Sequence, residues 1–195
     1  MVEEEIIKTL KVPEEITISA QGHKVTVKTE KGEITKNFES HRLRLEKNGN
    51  SIIIIGKPSN KQTSALLNTV ISHIENLVYG LKFGYKYEMK ISYSHFPMTA
   101  ELKNNIVFIK NFIGEKHPRE AKVVGQTKIE IKGQDITITG NNLEEVSQTS
   151  ANIRLATKVQ KKDIRRFTDG IYLVKKGNIE EIPEDFHFQV IQGRE

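Results

Sequence analysis

The chain contains no cysteine. Disulfides and thiolate-bound zinc are therefore excluded outright, and a reducing compartment is the simplest setting. Long apolar runs are also missing: the longest, Ile52–Ile55, falls far short of the ~20 residues that a membrane helix needs. The amino terminus, Met1-Val2-Glu3-Glu4-Glu5, is acidic and lacks the basic-then-apolar order of a secretory signal. These absences predict a soluble intracellular protein.

Signatures of catalysis are lacking as well. The six histidines (His23, His41, His73, His95, His117 and His187) show no HxH, HExxH or HxxxH spacing, so a metal site would need ligands from distant segments. Gly114-Glu115-Lys116 lacks the first glycine of a phosphate-binding loop. No GxSxG or SxxK is present. Gly80-Leu-Lys-Phe-Gly84 fits GxxxG, but its polar context excludes membrane dimerisation. Enzymatic activity has no positive support, and no metal or cofactor is expected.

What the chain does have is a repeat. Gln-Thr-Ser-Ala occurs at 62–65 and again at 148–151. Each copy follows a similar hairpin pattern, Glu46 to Gly56 in the first case and Glu130 to Gly140 in the second. One supersecondary plan run twice predicts a pair of related α/β modules, and with two copies each must bury its own core. In the first module, Ile16, Ile18 and Ala20 alternate with polar residues, as do Val25 and Val27. Asn48-Gly49 marks a hairpin turn before the apolar strand Ile52–Ile55. A helix is expected from about Ser59 to Tyr79, with Gly80 as its stop. The alternation from Tyr85 to Tyr93 predicts a long two-faced strand where one module hands over to the other. Strands near 98–102, 106–112, 122–124, 129–131 and 136–139 follow. A second helix opens at Asn142-Leu143-Glu144-Glu145, with Val159 in its buried stripe and Lys158, Lys161 and Lys162 at its end. The expected boundaries are 1–82 for the first module, 83–177 for the second, and 178–195 as an acidic carboxy-terminal tail.

Charge distinguishes the copies. Thirty Lys and Arg against 25 Asp and Glu leave a mild +5. Within 152–177, however, Arg154, Lys158, Lys161, Lys162, Arg165, Arg166, Lys175 and Lys176 face only Asp163 and Asp169. The final 18 residues reverse this, with Glu180, Glu181, Glu184, Asp185 and Glu195 against Arg194. A focused basic segment interleaved with Phe167 and Tyr172 suits a nucleic acid: Lys and Arg neutralise phosphates, and Arg planes and aromatic faces meet exposed bases. Sparser basic groups are Lys82, Lys86 and Lys90, and Lys110, Lys116, Arg119 and Lys122. From the residues alone, the chain reads as an RNA- or DNA-binding tandem α/β protein.

Several blocks go further. Gly84-Tyr-Lys-Tyr-Glu-Met-Lys with Tyr93-Ser-His-Phe-Pro97, Asn111-Phe-Ile-Gly-Glu-Lys116, Gly140-Asn-Asn-Leu-Glu-Glu-Val-Ser147, Ala151-Asn-Ile and Lys162-Asp-Ile-Arg-Arg-Phe-Thr-Asp-Gly-Ile-Tyr172 occur in order. Together they resemble the universal large-ribosomal-subunit protein six family (large-subunit protein nine of eukaryotes), in its eukaryotic and archaeal form. The resemblance spans about Val12 to Gly177. It implies an α+β fold, a tandem repeat of two small, mainly antiparallel sheet-plus-helix modules. It implies a structural, non-enzymatic role on large-subunit rRNA near the sarcin–ricin loop and stalk base, where translational GTPases dock. Partners would be that rRNA and neighbouring large-subunit proteins, in the cytoplasm on the ribosome, with nucleolar assembly if the source is eukaryotic. Neither membrane nor homo-oligomer is expected.

Two departures stand out. Eukaryotic members carry a Trp-rich basic stretch where this chain has Gly56-Lys-Pro-Ser-Asn-Lys61, and this chain has no Trp. They are also more basic where His117-Pro118 stands here. The reduced form suggests a eukaryote with compact ribosomes.

The second module is expected to carry most RNA contact, through Lys110, Lys116, Arg119, Arg154, Lys158, Lys161, Lys162, Arg165, Arg166, Gly170 and Tyr172. Lys161, Lys162, Arg165 and Arg166 should touch mainly phosphates. Gly170 should permit a sharp turn with positive φ or close approach of backbone to RNA. A free RNA-binding or RNA-chaperone module outside the ribosome is the competing reading, and an enzyme with a site assembled from dispersed Asp, Glu and His is a third.

Overall fold

The computed structural model describes residues 5–13, 16–49, 51–160, 162–163, 165–183, 186 and 188–194. The chain divides into two compact units, Met1–Lys82 with Ile182–Glu195, and Phe83–Glu181. In the first, strands β1 (Ile6–Lys11), β2 (Thr17–Gln21), β3 (Lys24–Thr29), β4 (Gly32–Asn37), β5 (Leu43–Asn48) and β6 (Ser51–Gly56) precede helix α1 (Lys61–Phe83). The second has β7 (Tyr85–Ser92), β8 (Thr99–Lys103), β9 (Ile106–Lys110), a 3₁₀ turn at Phe112–Gly114, β10 (Arg119–Lys122), β11 (Lys128–Lys132) and β12 (Asp135–Gly140). Helix α2 (Leu143–Ala156) and β13 (Gly170–Asn178) complete it, and β14 (Gln189–Arg194) returns to the first unit.

The repeat extends to topology. One unit has a four-stranded antiparallel sheet in the order β14-β1-β6-β5, the other in the order β13-β7-β12-β11. Each adds a three-stranded sheet, β2-β3-β4 or β8-β9-β10. The fold is α+β, two sheet-plus-helix modules built on one plan. In the first unit the place that β13 takes in the second is filled by the end of the chain. Residues 189–194, expected as part of a tail, pair along β1 from Ile6↔Arg194 to Lys11↔Gln189. The acids Glu184, Asp185 and Glu195 of that expected tail lie outside the described residues.

The repeated Gln-Thr-Ser-Ala acquires a physical reason. Thr63 and Thr149 are both completely buried, one near the start of α1 and the other midway along α2. A Cβ added at Gly56 would sit 2.5 Å from Thr63 Cγ2, so glycine at the end of β6 is what lets α1 approach. At the equivalent Gly140 the crowding atom is Val146 Cγ2, 2.8 Å away. Thr149 Oγ1 accepts from Val124 N at 3.0 Å, whereas Thr63 Oγ1 has no partner among the described residues.

Helix α1 runs past the expected stop. Gly80 lies inside it, because Leu77, Val78, Leu81 and Phe83 continue the buried stripe for another turn. The turn residue is Gly84, at φ 64. Burying side chains of this kind contributes about 1.5–3 kcal/mol each, more than the roughly 1 kcal/mol that an interior glycine costs a helix. Among the described residues, no helix is long and apolar enough to cross a membrane.

Candidate nucleic-acid interface

Helix α2 packs on β7, β12 and β13 and is capped at its start by Asn142, whose side chain accepts from Glu144 N at 3.0 Å. It ends at Ala156, before the lysines expected at its terminus. The reason is Thr157, which is buried and competes for the last carbonyls. Its Oγ1 contacts Ile153 O and Arg154 O at 3.2 Å and accepts from Ile171 N at 3.1 Å. One hydroxyl thus ties the helix end to β13, and Lys158 and Val159 leave the helix axis.

Arg119 closes the same end from β10. Its Nη1 donates to Ala156 O at 2.8 Å and Lys158 O at 3.3 Å. Nε and Nη2 make a fork onto Glu115 at 2.8 and 2.7 Å, and the guanidinium lies 4.2 Å from the centroid of buried Phe112. Hydrogen bonding by Arg119, opposed by burial, holds the Glu115 carboxyl below the usual range. All three nitrogens of Arg119 are committed internally.

The loop 158–169 holds two acids, and both are spent on backbone. Asp163 Oδ1 accepts from Arg165 N at 2.9 Å, and its carbonyl accepts from Arg166 N and Phe167 N at 3.1 and 3.0 Å. Asp169 is 1% exposed, and its Oδ1 accepts from Ser94 N at 2.7 Å. Its Oδ2 lies 3.6 Å from His95 Nδ1, too long for a strong hydrogen bond, and has no closer partner among the described residues. Burial works against ionisation of Asp169, but the Ser94 amide bond, with the nearby His95 backbone and ring, outweighs it and holds the carboxyl below its ordinary value. The basic side chains lack close acidic partners, although Lys162 lies near enough to Glu115 to help hold that carboxyl down. Lys158, Lys162, Arg165 and Arg166 are exposed and, among the described residues, have no carboxylate at ion-pair distance.

Beside that loop lies a groove of about 510 Å³ between the end of α2 and the start of β13. Arg154, Leu155, Lys158, Phe167, Thr168 and Tyr172 are in its walls. The Arg154 guanidinium sits 5.0 Å from the centroid of Tyr172, whose hydroxyl donates to Thr168 O at 3.0 Å. Lys162 Nζ lies 4.7 Å over Phe167, which packs 5.2 Å from His95.

Gly170 differs from the expected left-handed turn. It is not among the glycines of positive φ, and it pairs with Ser92 in the sheet. A Cβ there would meet Tyr172 Cε2 at 3.2 Å and Cζ and the hydroxyl at 3.3 Å. The glycine makes room for a ring, and the local turn of the loop is held by Asp163.

The structure therefore gathers Arg154, Lys158, Gly170 and Tyr172 around one groove, with Lys162, Arg165 and Arg166 on the adjoining loop. Lys161 lies outside the described residues. Lys110 stands apart on β9, paired to Glu101 at 2.7 Å, and Lys116 is exposed on the loop before β10. Of the sparser group, Lys82 belongs to the first unit and covers Phe186 at 4.5 Å, while Lys86 of the second pairs with Glu88 at 2.8 Å. Sequence reasoning missed Leu155. It is 62% exposed, and its signal was a leucine off the buried stripe of Val146, Thr149 and Ile153. Among the described residues no three His, Asp or Glu side chains converge in a way that could hold a metal.

The family model for ribosomal protein L6 matches residues 96–170, which include α2 and the basic loop. The large ribosomal subunit protein uL6 of Staphylothermus marinus is 45% identical over 179 residues, covering 90% of this chain and 97% of its own. That of Methanosphaera stadtmanae is 44% identical over 173 residues, covering 88% and 94%. That of Methanobrevibacter smithii is 40% identical over 171 residues, covering 88% and 96%. All three of these relatives are archaeal. The chain belongs to the ribosomal protein L6 family, whose members are structural proteins of the ribosome rather than enzymes.

Proposed function

We propose that this chain is a structural constituent of the large ribosomal subunit, bound to large-subunit rRNA near the sarcin–ricin loop and stalk base, where it supports the docking region of translational GTPases. The observation that carries the RNA-binding part is the fate of Asp163 and Asp169. With both acids turned to backbone, the cluster of Lys158, Lys162, Arg165 and Arg166 is a net cationic surface rather than a web of internal pairs. Such a surface attracts phosphate backbone and releases counterions on binding. The location on the subunit is supported by the family resemblance of the blocks from Gly84 to Tyr172. The second module, 83–177, is assigned most of the contact, because the first has nearly balanced charge.

Sucrose-gradient fractionation and crosslink mapping test this reading. The protein should follow the large subunit and leave it at high salt, and its second unit should crosslink to rRNA near the sarcin–ricin loop. Migration as a free protein would contradict the ribosomal assignment, and crosslinks confined to another rRNA region would contradict the location.

A further inference from the structure

A phosphate site needs cations, yet the groove beside α2 also offers a flat apolar wall. Tyr172 is 38% exposed and Leu155 62%. The ring is fixed by its hydroxyl bond to Thr168 O at 3.0 Å and by the clearance that Gly170 provides. Arg154 has no acidic partner among the described residues, and its guanidinium rests on the Tyr172 face at 5.0 Å. The volume of about 510 Å³ falls in the range of about 300–1,000 Å³ typical of sites for small organic ligands.

We infer that this groove receives one unpaired nucleobase, placed against Arg154, Tyr172 and Leu155, with its sugar–phosphate directed to Lys158 and Lys162. The inference rests on the RNA-binding reading above. A base has both properties the groove asks for: an apolar face for the ring and guanidinium, and a phosphate a few atoms away for the lysines. A protein side chain supplies the first without the second, and the groove walls hold no acid to pair with a basic partner. Bases within an RNA helix are stacked on one another and out of reach, so the nucleotide must be single-stranded, bulged or looped out. The exposed hydroxyl of Thr168, which contacts Ser94 Oγ at 3.1 Å, can also serve a base edge.

The absence of Trp from the chain gives a direct test. In the full-length Tyr172→Trp variant the new indole is the sole one, and its emission should be lost in step with binding of an in vitro large-subunit rRNA transcript. The wild-type complex, irradiated with ultraviolet light, should crosslink Tyr172 to a base. Tyr172→Leu should bind the transcript about tenfold more weakly, within the range for loss of one base–aromatic stack, at unchanged salt slope. Unchanged indole emission in a bound complex, with no Tyr172 crosslink and wild-type affinity for Tyr172→Leu, would overturn the base pocket and leave RNA binding intact. Equal emission loss with a fully paired RNA duplex would overturn it in favour of a backbone contact. A change seen in assembled subunits and absent with the transcript would overturn it in favour of a protein occupant. Failure of the wild-type chain to bind the transcript at all would overturn both this inference and the function it rests on.

Discussion

Asp169 Oδ1 accepts from Ser94 N at 2.7 Å, joining two segments 75 residues apart inside the second unit. The carboxylate is buried, so it holds the end of the basic loop to the segment that follows β7. Asp169→Ala would lose a charge-assisted bond to the part-buried Ser94 amide, a cost of about 1.5–3 kcal/mol. Denaturant titration of the variant reads that difference.

The same residue sets a pH dependence. Its folded carboxyl titrates below the ordinary value, so its contribution is fully present above the unfolded pKa of about 3.9 and is lost as pH falls through the folded value. Urea unfolding of wild type and Asp169→Asn should differ most near neutrality and converge in strong acid. A difference that persisted unchanged to low pH would contradict this role.

Arg119 separates stability from binding. Arg119→Lys keeps the charge but cannot reproduce the fork to Glu115 together with the bonds to Ala156 O and Lys158 O. It should destabilise the second unit by about 1–3 kcal/mol while leaving the salt slope of RNA binding unchanged. Denaturant titration and a salt series on the same variant read both quantities.

At the repeat, Gly56→Ala should destabilise the first unit by about 1–3 kcal/mol, the usual cost of overpacking, because the new Cβ would crowd Thr63 Cγ2 at 2.5 Å. Thr63→Ser removes that methyl, so the double variant should recover part of the loss. Recovery would be incomplete, since Leu67 carbons also lie 3.3 Å from the added atom. Additive losses would show that the crowding is relieved elsewhere.

Removal of residues 189–195 should expose the edge of β1, which β14 covers from Ile6 to Lys11. An uncovered edge is a template for association. Hydrogen exchange should accelerate in β1 and leave β7 and β12 protected, with a rise in aggregation.

Much of the fold was legible because alternation and helical spacing survive wherever one face is buried, as in Tyr85 to Ser92 and in Leu67 to Val78. β14 was not, because Val190 and Ile191 are both about half exposed, at 46% and 49%, and such an edge strand carries no two-faced pattern. The end of α2 was misplaced because Lys158 and Val159 continue the helical spacing, while the stop depends on a bond that Thr157 Oγ1 accepts from Ile171 N, 14 residues away. The basic cluster was readable from charge alone. Which cations are free was not: Arg119 looks like its neighbours in sequence, and only the fold brings Glu115, Phe112 and Ala156 around it.

The most direct test is the salt dependence of rRNA binding after removal of the loop cations. With Lys158, Lys162, Arg165 and Arg166 all replaced by Ala, the slope of log K against log salt should fall by about 0.7–0.9 for each phosphate no longer neutralised, roughly three units in all. Replacing Lys24, Lys28, Lys47 and Lys61, which are exposed in the first unit, removes the same charge and should leave the slope nearly unchanged. Equal reductions from the two sets would contradict the assignment of RNA binding to the second unit.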